Sequence, residues 1–111
     1  MMDLNDCFVF AKRHPVCSLA TMDHDQPRVR IFTLWFADET GFYFDTLASK
    51  NVAMQLEANP RCELCFLAPP HPPHPTEMMR VTGNVEFLDD PSIRARLLED
   101  RLILRDRKSV V

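Results

Sequence analysis

The chain opens with an amphipathic helical pattern and continues with short apolar segments that are typical of strands. A helix is predicted over residues 3–13, with Asp3 as its N-cap, because apolar residues recur there at helical spacing: Leu4, Cys7, Phe8 and Ala11. The next apolar segments are separated by turn-forming residues and cover residues 16–22, 28–37 and 42–46. This arrangement predicts three strands joined as an antiparallel meander.

The second half of the chain is predicted to contain a helix, two strands and a further helix. A second helix is predicted over residues 49–58, with Ser49 as N-cap and Asn59-Pro60 as its end. Two more strands are predicted, over residues 61–68 and 77–88. A third helix begins at Asp90-Pro91. We therefore expect a single α+β domain over residues 1–111, with an antiparallel sheet long enough to curl into a small barrel.

Composition and charge exclude several classes of function. The chain has 13 Lys and Arg against 16 Asp and Glu, and this balance does not favour a nucleic-acid-binding protein. Its two glycines exclude the glycine-rich nucleotide-binding loops. No apolar run approaches the ~20 residues of a membrane span, and the first residues are acidic where a signal peptide is basic. We expect a cytoplasmic protein without a membrane partner.

Two segments are candidates for binding an anion. Thr46, Ser49 and Lys50 surround the start of the second predicted helix, where free N–H groups and the helix dipole favour negative charge. Arg28 and Arg30 are two residues apart, so both project from one face of a strand. The alternatives are an ordinary helix cap with a solvated lysine and an edge strand with a solvated end.

The cysteines and histidines predict no metal site. Cys62 and Cys65 are three residues apart on a strand and therefore point to opposite faces, which opposes shared ligation. His71 and His74 lie in a proline-rich segment of polyproline character, where residues three apart share a side. Strand cysteines and a surface loop are the favoured interpretation, and a Cys/His zinc site is the alternative.

Several motifs occur together in an order that resembles a known family. They are Cys17-Ser-Leu-Ala-Thr, Pro27-Arg-Val-Arg-Ile-Phe-Thr, Asp38-Glu-Thr-Gly-Phe-Tyr-Phe-Asp-Thr, Ser49-Lys50, Asn59-Pro60-Arg-Cys-Glu-Leu-Cys-Phe and Arg80-Val-Thr-Gly-Asn-Val-Glu. The chain resembles the pyridoxamine 5′-phosphate oxidase-like, FMN-binding split β-barrel family. The resemblance implies a small antiparallel split β-barrel of five to six strands with three helices, which forms a homodimer and binds FMN at the subunit interface.

The resemblance also implies which residues hold the cofactor. Arg30 matches the arginine that reaches the FMN phosphate, and Ser49 and Lys50 match a second phosphate-binding element. The isoalloxazine ring is expected along two strand segments, at Ile31, Phe32, Thr33, Phe44, Asp45 and Thr46. Arg28 is a candidate for stabilising the reduced flavin. No catalytic residue is identified.

Three departures separate the chain from the oxidase itself. Trp35 stands where the oxidase has a lysine, and Glu77-Met78 stands where it has Arg-Gln. No Arg- and His-rich substrate segment precedes Val111. We therefore expect a flavin-dependent oxidoreductase with another substrate. The alternatives are a non-catalytic flavin-binding or electron-transfer module and a split-barrel protein that uses a deazaflavin cofactor or haem.

Overall fold

The computed structural model describes residues 3–46, 50–88, 90–100 and 109–110, and these form three helices and eight strands. The helices are α1 (Leu4–Arg13), α2 (Asn51–Ala58) and α3 (Pro91–Asp100). The strands are β1 (Val16–Asp23), β2 (Gln26–Thr33), β3 (Phe36–Asp38), β4 (Gly41–Tyr43), β5 (Asp45–Thr46), β6 (Arg61–Ala68), β7 (Glu77–Asn84) and β8 (Ser109–Val110). All strand pairs are antiparallel, and the predicted α+β class and its three helices are confirmed.

The strands form a four-stranded sheet in the order β2-β1-β6-β7 and two short pairs, β3-β4 and β5-β8. The predicted antiparallel neighbours are confirmed, because β1 pairs with β2 and β3 with β4, but the three segments do not form one continuous sheet, since the chain leaves the four-stranded sheet after β2. The Leu34 N–H donates to the Pro15 carbonyl oxygen (2.8 Å), whereas the Trp35 N–H donates to the Tyr43 carbonyl oxygen (2.9 Å). The single strand expected over residues 28–37 therefore divides into β2 and β3, which pair in different sheets.

The two faces of the large sheet differ in burial. Facing residues in the strand register share a side, so Cys17, Leu19, Leu64, Phe66 and Met79 lie on one face, and all five are buried. We call this the inner face; α1 and α2 contribute to the same core through Phe8, Ala11, Val52 and Leu56. The opposite, outer face carries exposed apolar side chains, which are Val16, Val29, Ile31, Leu67 and Met78.

The N-terminal caps of α1 and α2 can be compared with the predicted helix starts. Asp3 caps α1 as expected: its side chain accepts from the Asp6 N–H, and the Asp6 side chain accepts from the Asp3 N–H. Helix α2 begins at Asn51, so Lys50 and not Ser49 occupies its N-cap position, without a side-chain hydrogen bond. Ser49 lies outside the described residues.

The strand expected over residues 77–88 ends earlier, at Asn84. After it the Val85 N–H donates to the Pro60 carbonyl oxygen (2.7 Å). Gly83 faces Cys62 in a regular ladder without a bulge. None of the helices in the described residues is long and apolar enough to cross a membrane.

Candidate functional site

Arg30 is the central polar side chain of the inner face. Its guanidinium donates two hydrogen bonds, one to Thr21 Oγ1 (2.5 Å) on β1 and one to Gln55 Oε1 (2.6 Å) on α2. The Thr21 hydroxyl donates in turn to the same Gln55 oxygen (2.8 Å). These three side chains therefore join the edge strand, its neighbour and the helix in one network. Burial lowers the pKa of Arg30, and the nearby Arg28 lowers it further.

Arg30 keeps hydrogen-bonding capacity beyond this network. A guanidinium carries five N–H donors, and Thr21 and Gln55 are its hydrogen-bond acceptors among the described residues. Arg30 is also half-buried, with part of the side chain accessible. An anion that reaches this place meets a positioned guanidinium whose orientation is already set by two bonds, which reduces the entropy lost on binding.

Arg28 lies on the same face as Arg30 but has a different environment. Its Nε–H donates to Asp23 Oδ2 at 3.3 Å, and the Arg28 side chain is half-exposed. An exposed pair of this kind contributes about 0–1 kcal/mol. The structure therefore brings both arginines to one face, as the spacing predicts, but builds only Arg30 into a network.

The second predicted anion-binding segment lies around the start of α2. Lys50 is exposed at the N-cap position, and its carbonyl oxygen accepts from the N–H groups of Ala53 (3.1 Å) and Met54 (3.3 Å). Gln55, which binds Arg30, is five residues along the same helix, about 7.5 Å by the rise of an α-helix. The Arg30 network therefore meets α2 in the second half of the helix, and not at its N-terminus. Thr46 is buried and Asp45 half-buried before this segment.

A cavity of about 290 Å³ opens on the inner face; Arg30 does not line it, but its neighbours in the sheet, Leu19 and Phe32, do. Its walls are mainly apolar and include Leu19, Phe32, Phe44, Leu64 and Val81. Polar groups of Thr40, Tyr43, Asn84 and Glu86 also line it. Gly83 contributes open space, because a Cβ atom built there meets nothing within 4 Å. The lining therefore suits a mainly apolar group that also carries polar atoms.

The strand residues expected to contact a flavin divide between the two sheet faces. Phe32 and Phe44 line the cavity together, with ring centroids 5.9 Å apart. Ile31 and Thr33 alternate with Phe32 and point to the outer face, where Ile31 is 64% exposed. The cavity thus brings together the two aromatic residues of the predicted set and leaves Ile31 and Thr33 on the other side of β2.

Trp35 belongs to an aromatic cluster at the bend after β2. The Phe36 and Tyr43 rings stack with centroids 4.2 Å apart, and the Trp35 ring meets Phe36 edge-on at 4.6 Å. The Arg96 guanidinium from α3 lies 4.4 Å from the Phe36 centroid and 5.9 Å from that of Trp35. A cation over an aromatic face is attracted by the ring quadrupole. Arg96 therefore holds α3 against the two-stranded pair β3-β4.

The cysteines do not form a reactive or metal-binding group. Cys62 lines the cavity on the inner face, whereas Cys65 lies on the outer face, as their spacing predicts. Burial, assisted by Cys65, raises the pKa of Cys17 to about 12, and burial also raises the pKa of Cys62. Both stay protonated near neutral pH and are poor nucleophiles. Among the residues that the structure describes, no three His, Cys, Asp or Glu side chains gather into a metal site.

Sequence reasoning missed two members of the Arg30 network. The sequence predicts that Thr21 is an ordinary strand residue and that Gln55 occupies an exposed position of an amphipathic helix. A signal was available for Thr21, because it occupies the apolar phase of β1 after Cys17 and Leu19, and a hydroxyl buried there needs a partner. Gln55 carries no comparable signal, since its role depends on how α2 crosses the sheet.

The sequence comparisons identify relatives of this chain. A family model described as pyridoxamine 5′-phosphate oxidase matches residues 7–106. A curated pyridoxine/pyridoxamine 5′-phosphate oxidase from Anaeromyxobacter dehalogenans is 39% identical over 90 residues, which are 77% of this chain and 43% of the relative. The chain therefore spans less than half the length of that relative.

Solved structures share the fold over nearly the whole chain. A NimC/NimA family protein from Clostridium acetobutylicum superposes with a TM-score of 0.80 at 26% identity, covering 96% of this chain and 76% of that one. A FAD-binding protein from Mesorhizobium loti gives 0.73 at 18% identity, over 95% and 76% of the two chains. HutZ, the haem storage protein from Vibrio cholerae, gives 0.73 at 15% identity, over 99% and 88%.

The solved structures confirm the predicted fold class, an α+β fold of the split-barrel type. The family model covers most of the chain, and its match includes β1, β2, α2, β6 and β7, the elements that build the Arg30 network and the cavity. The chain belongs to the pyridoxamine 5′-phosphate oxidase family.

Proposed function

We propose that this protein is an FMN-binding flavoprotein that acts as an oxidoreductase on a substrate still to be identified. The observation that carries the proposal is the position of Arg30. Two hydrogen bonds hold its guanidinium between β1 and α2, and its neighbours in the sheet, Leu19 and Phe32, line the aromatic cavity. An anionic group and a planar ring are the two parts of FMN, and these features provide a place for each.

The chemistry of the described residues fits the cofactor. Arg30 on β2 and Lys50 at the start of α2 would hold the phosphate, because guanidinium and ammonium groups suit a doubly charged anion. Phe32 and Phe44 would pack against the isoalloxazine ring. Bound FMN would supply the electron-transfer chemistry, whereas the protein provides binding, orientation and electrostatics. Arg28 adds positive charge on the same face.

The size of the cavity supports a homodimer with the cofactor at its interface. Cavities that enclose a whole small-molecule ligand range over about 300–1,000 Å³, and this one is about 290 Å³. The cavity of one chain is therefore at the lower limit of this range, which favours a second chain contributing to the site. A second copy paired along β2, the edge strand on which Val29 and Ile31 are exposed, would lie beside the inner face and complete the site.

Haem is the second candidate ligand, because HutZ shares the fold. Haem iron needs an axial ligand such as His, Cys, Met or Tyr. Of these residue types, the described lining of the cavity offers Cys62, which burial holds as a thiol, and Tyr43, whose hydroxyl is already hydrogen-bonded to Thr40 (2.6 Å). These features favour the flavin over haem. A deazaflavin cofactor shares the requirement for an anion site and a planar pocket, so the binding experiment has to include it.

The experiment is a titration of the purified protein with FMN, followed by flavin fluorescence and visible absorbance, with haem and a deazaflavin as separate arms. We expect FMN to bind, and Arg30→Met to weaken binding by about tenfold or more, since a hydrogen bond to a charged group contributes about 1.5–3 kcal/mol. Arg80→Met is the matched control, because Arg80 is an exposed strand arginine on the outer face.

Three results would count against the proposal or a part of it. If FMN does not bind at all while haem or the deazaflavin does, the ligand assignment is wrong. If FMN binds and Arg30→Met weakens it no more than Arg80→Met, the cofactor lies elsewhere. Where FMN binds but nicotinamide donors do not reduce it, the non-catalytic flavin module replaces the oxidoreductase.

A further inference from the structure

His71 and His74 form a tight turn of their own between β6 and β7. The His71 N–H donates to the His74 carbonyl oxygen at 3.0 Å, and the His74 N–H donates to the His71 carbonyl oxygen at 2.7 Å. This exchange of two bonds makes the two residues an isolated antiparallel bridge. Residues 69–78 around them are exposed, and the turn lies outside the cavity and the Arg30 network.

The bridge places the two imidazoles next to each other. Directly opposed residues of an antiparallel pair project to the same side, and in a hydrogen-bonded pair their Cα atoms are about 5.5 Å apart with Cβ atoms about 4.5–5.5 Å apart. Two imidazole rings at that separation can turn toward one ion. The sequence predicts only that the two histidines share a side. The reciprocal backbone hydrogen bonds place them directly opposite each other in the bridge.

The surrounding prolines restrict the turn before any ligand binds. Pro70 and Pro72 flank His71, and Pro73 and Pro75 flank His74. The ring of each proline holds its φ angle near −65°. A chelating pair on such a backbone loses less conformational entropy on binding than the same pair on a flexible loop.

We propose that His71 and His74 bind a late first-row divalent cation, with Ni²⁺, Cu²⁺ and Zn²⁺ as the chemical class. Imidazole nitrogen suits these ions, whereas Mg²⁺ and Ca²⁺ prefer oxygen donors. The described residues contribute no third His, Cys, Asp or Glu to the pair. The remaining coordination positions are therefore open to water or to a donor from another molecule. This site is independent of the proposed cofactor site.

The test is a titration of the tag-free protein with Ni²⁺ by isothermal calorimetry. Ni²⁺ avoids the thiol oxidation that Cu²⁺ causes, and removing any polyhistidine tag removes a competing chelate. We expect one Ni²⁺ per chain, an affinity about tenfold or more lower in each of His71→Asn and His74→Asn, and no heat with Mg²⁺. His24→Asn is the matched control, since His24 is an exposed histidine in the β1-β2 turn.

Both histidine variants lie in an exposed turn, so their thermal unfolding is expected to match that of the native chain, and this is measured in parallel. The proposal is overturned if His71→Asn and His74→Asn bind Ni²⁺ as tightly as the native protein, or if only one of the two matters. It is also overturned if His24→Asn weakens binding to the same extent, because the ion would then bind histidines without regard to the bridge.

Discussion

The hydroxyl of Thr21 links Arg30 to Gln55 and so helps to orient the Arg30 guanidinium. Thr21 is only 3% exposed to solvent. Its hydroxyl accepts a hydrogen bond from Arg30 and donates one to Gln55. A buried polar group that loses its partner costs about 1–3 kcal/mol. The orientation of the Arg30 guanidinium therefore depends on a side chain that never touches the proposed cofactor.

Replacing Thr21 by valine tests this dependence, since valine keeps the shape and removes the hydroxyl. We expect Thr21→Val to lower the free energy of unfolding by about 1–3 kcal/mol, measured by urea denaturation. Thr82→Val is the control, because Thr82 is exposed on the outer face of β7. Equal stabilities of the two variants would show that the network contributes nothing beyond ordinary strand packing.

At the scale of the element, β7 leaves room in the cavity wall at Gly83. The residue sits in a regular ladder opposite Cys62, and its inner-face position opens into the cavity. A Cβ atom there would contact nothing within 4 Å. Because the backbone needs no glycine for its conformation, side chains of increasing size can be introduced to fill the space step by step.

A size series at Gly83 tests whether the cavity holds the flavin ring. We expect Gly83→Ala to bind FMN nearly as the native chain does, and Gly83→Leu to weaken FMN by about tenfold or more by occupying the space. Removing a strand glycine stabilises by about 0.5–1 kcal/mol, so a folding defect is not expected. Thr82→Leu, on the opposite face, controls for the added bulk. Unchanged FMN affinity in Gly83→Leu would place the ring outside the cavity.

At the scale of the whole molecule, the sheet presents one buried and one open face. Ile31 is 64% exposed and Val29 67%, and both lie on β2, the edge strand of the four-stranded sheet. Contiguous exposed apolar residues on an edge strand invite pairing with another chain. The same strand presents Arg30 and Phe32 on its inner face, so a partner on β2 would lie close to the proposed cofactor site.

The proposed homodimer can be tested by placing a charge on this surface. We expect Ile31→Asp to shift the protein from dimer to monomer in sedimentation velocity, because an interface core does not tolerate an unpaired carboxylate. Leu4→Asp is the matched control: Leu4 is 61% exposed on α1, away from the sheet. A dimer that survives Ile31→Asp, or a native protein that is monomeric, would contradict the proposed interface.

Local signals predicted much of the fold. Asp3 caps α1 because a short acidic side chain before an apolar helical repeat satisfies a free N–H. Strand β6 matches its predicted bounds, residues 61–68, since Pro60 and the proline-rich segment limit it on both sides. The start of α2 was predicted one residue early, because Ser49 is the residue type favoured at an N-cap, whereas the helix begins at Asn51 after Lys50, which makes no side-chain cap.

The order of apolar and polar residues along this chain was sufficient to determine the α+β class and the three helices. It also determined the alternation that puts Arg28, Arg30 and Phe32 on one face of β2. Each of these features depends on residues that are neighbours in the sequence. The tertiary structure alone decided that β1 pairs with β6, that the chain bends at Leu34-Trp35, and that Gln55 meets Arg30. Those contacts join residues far apart in the chain, and the packing that selects them leaves no local signal.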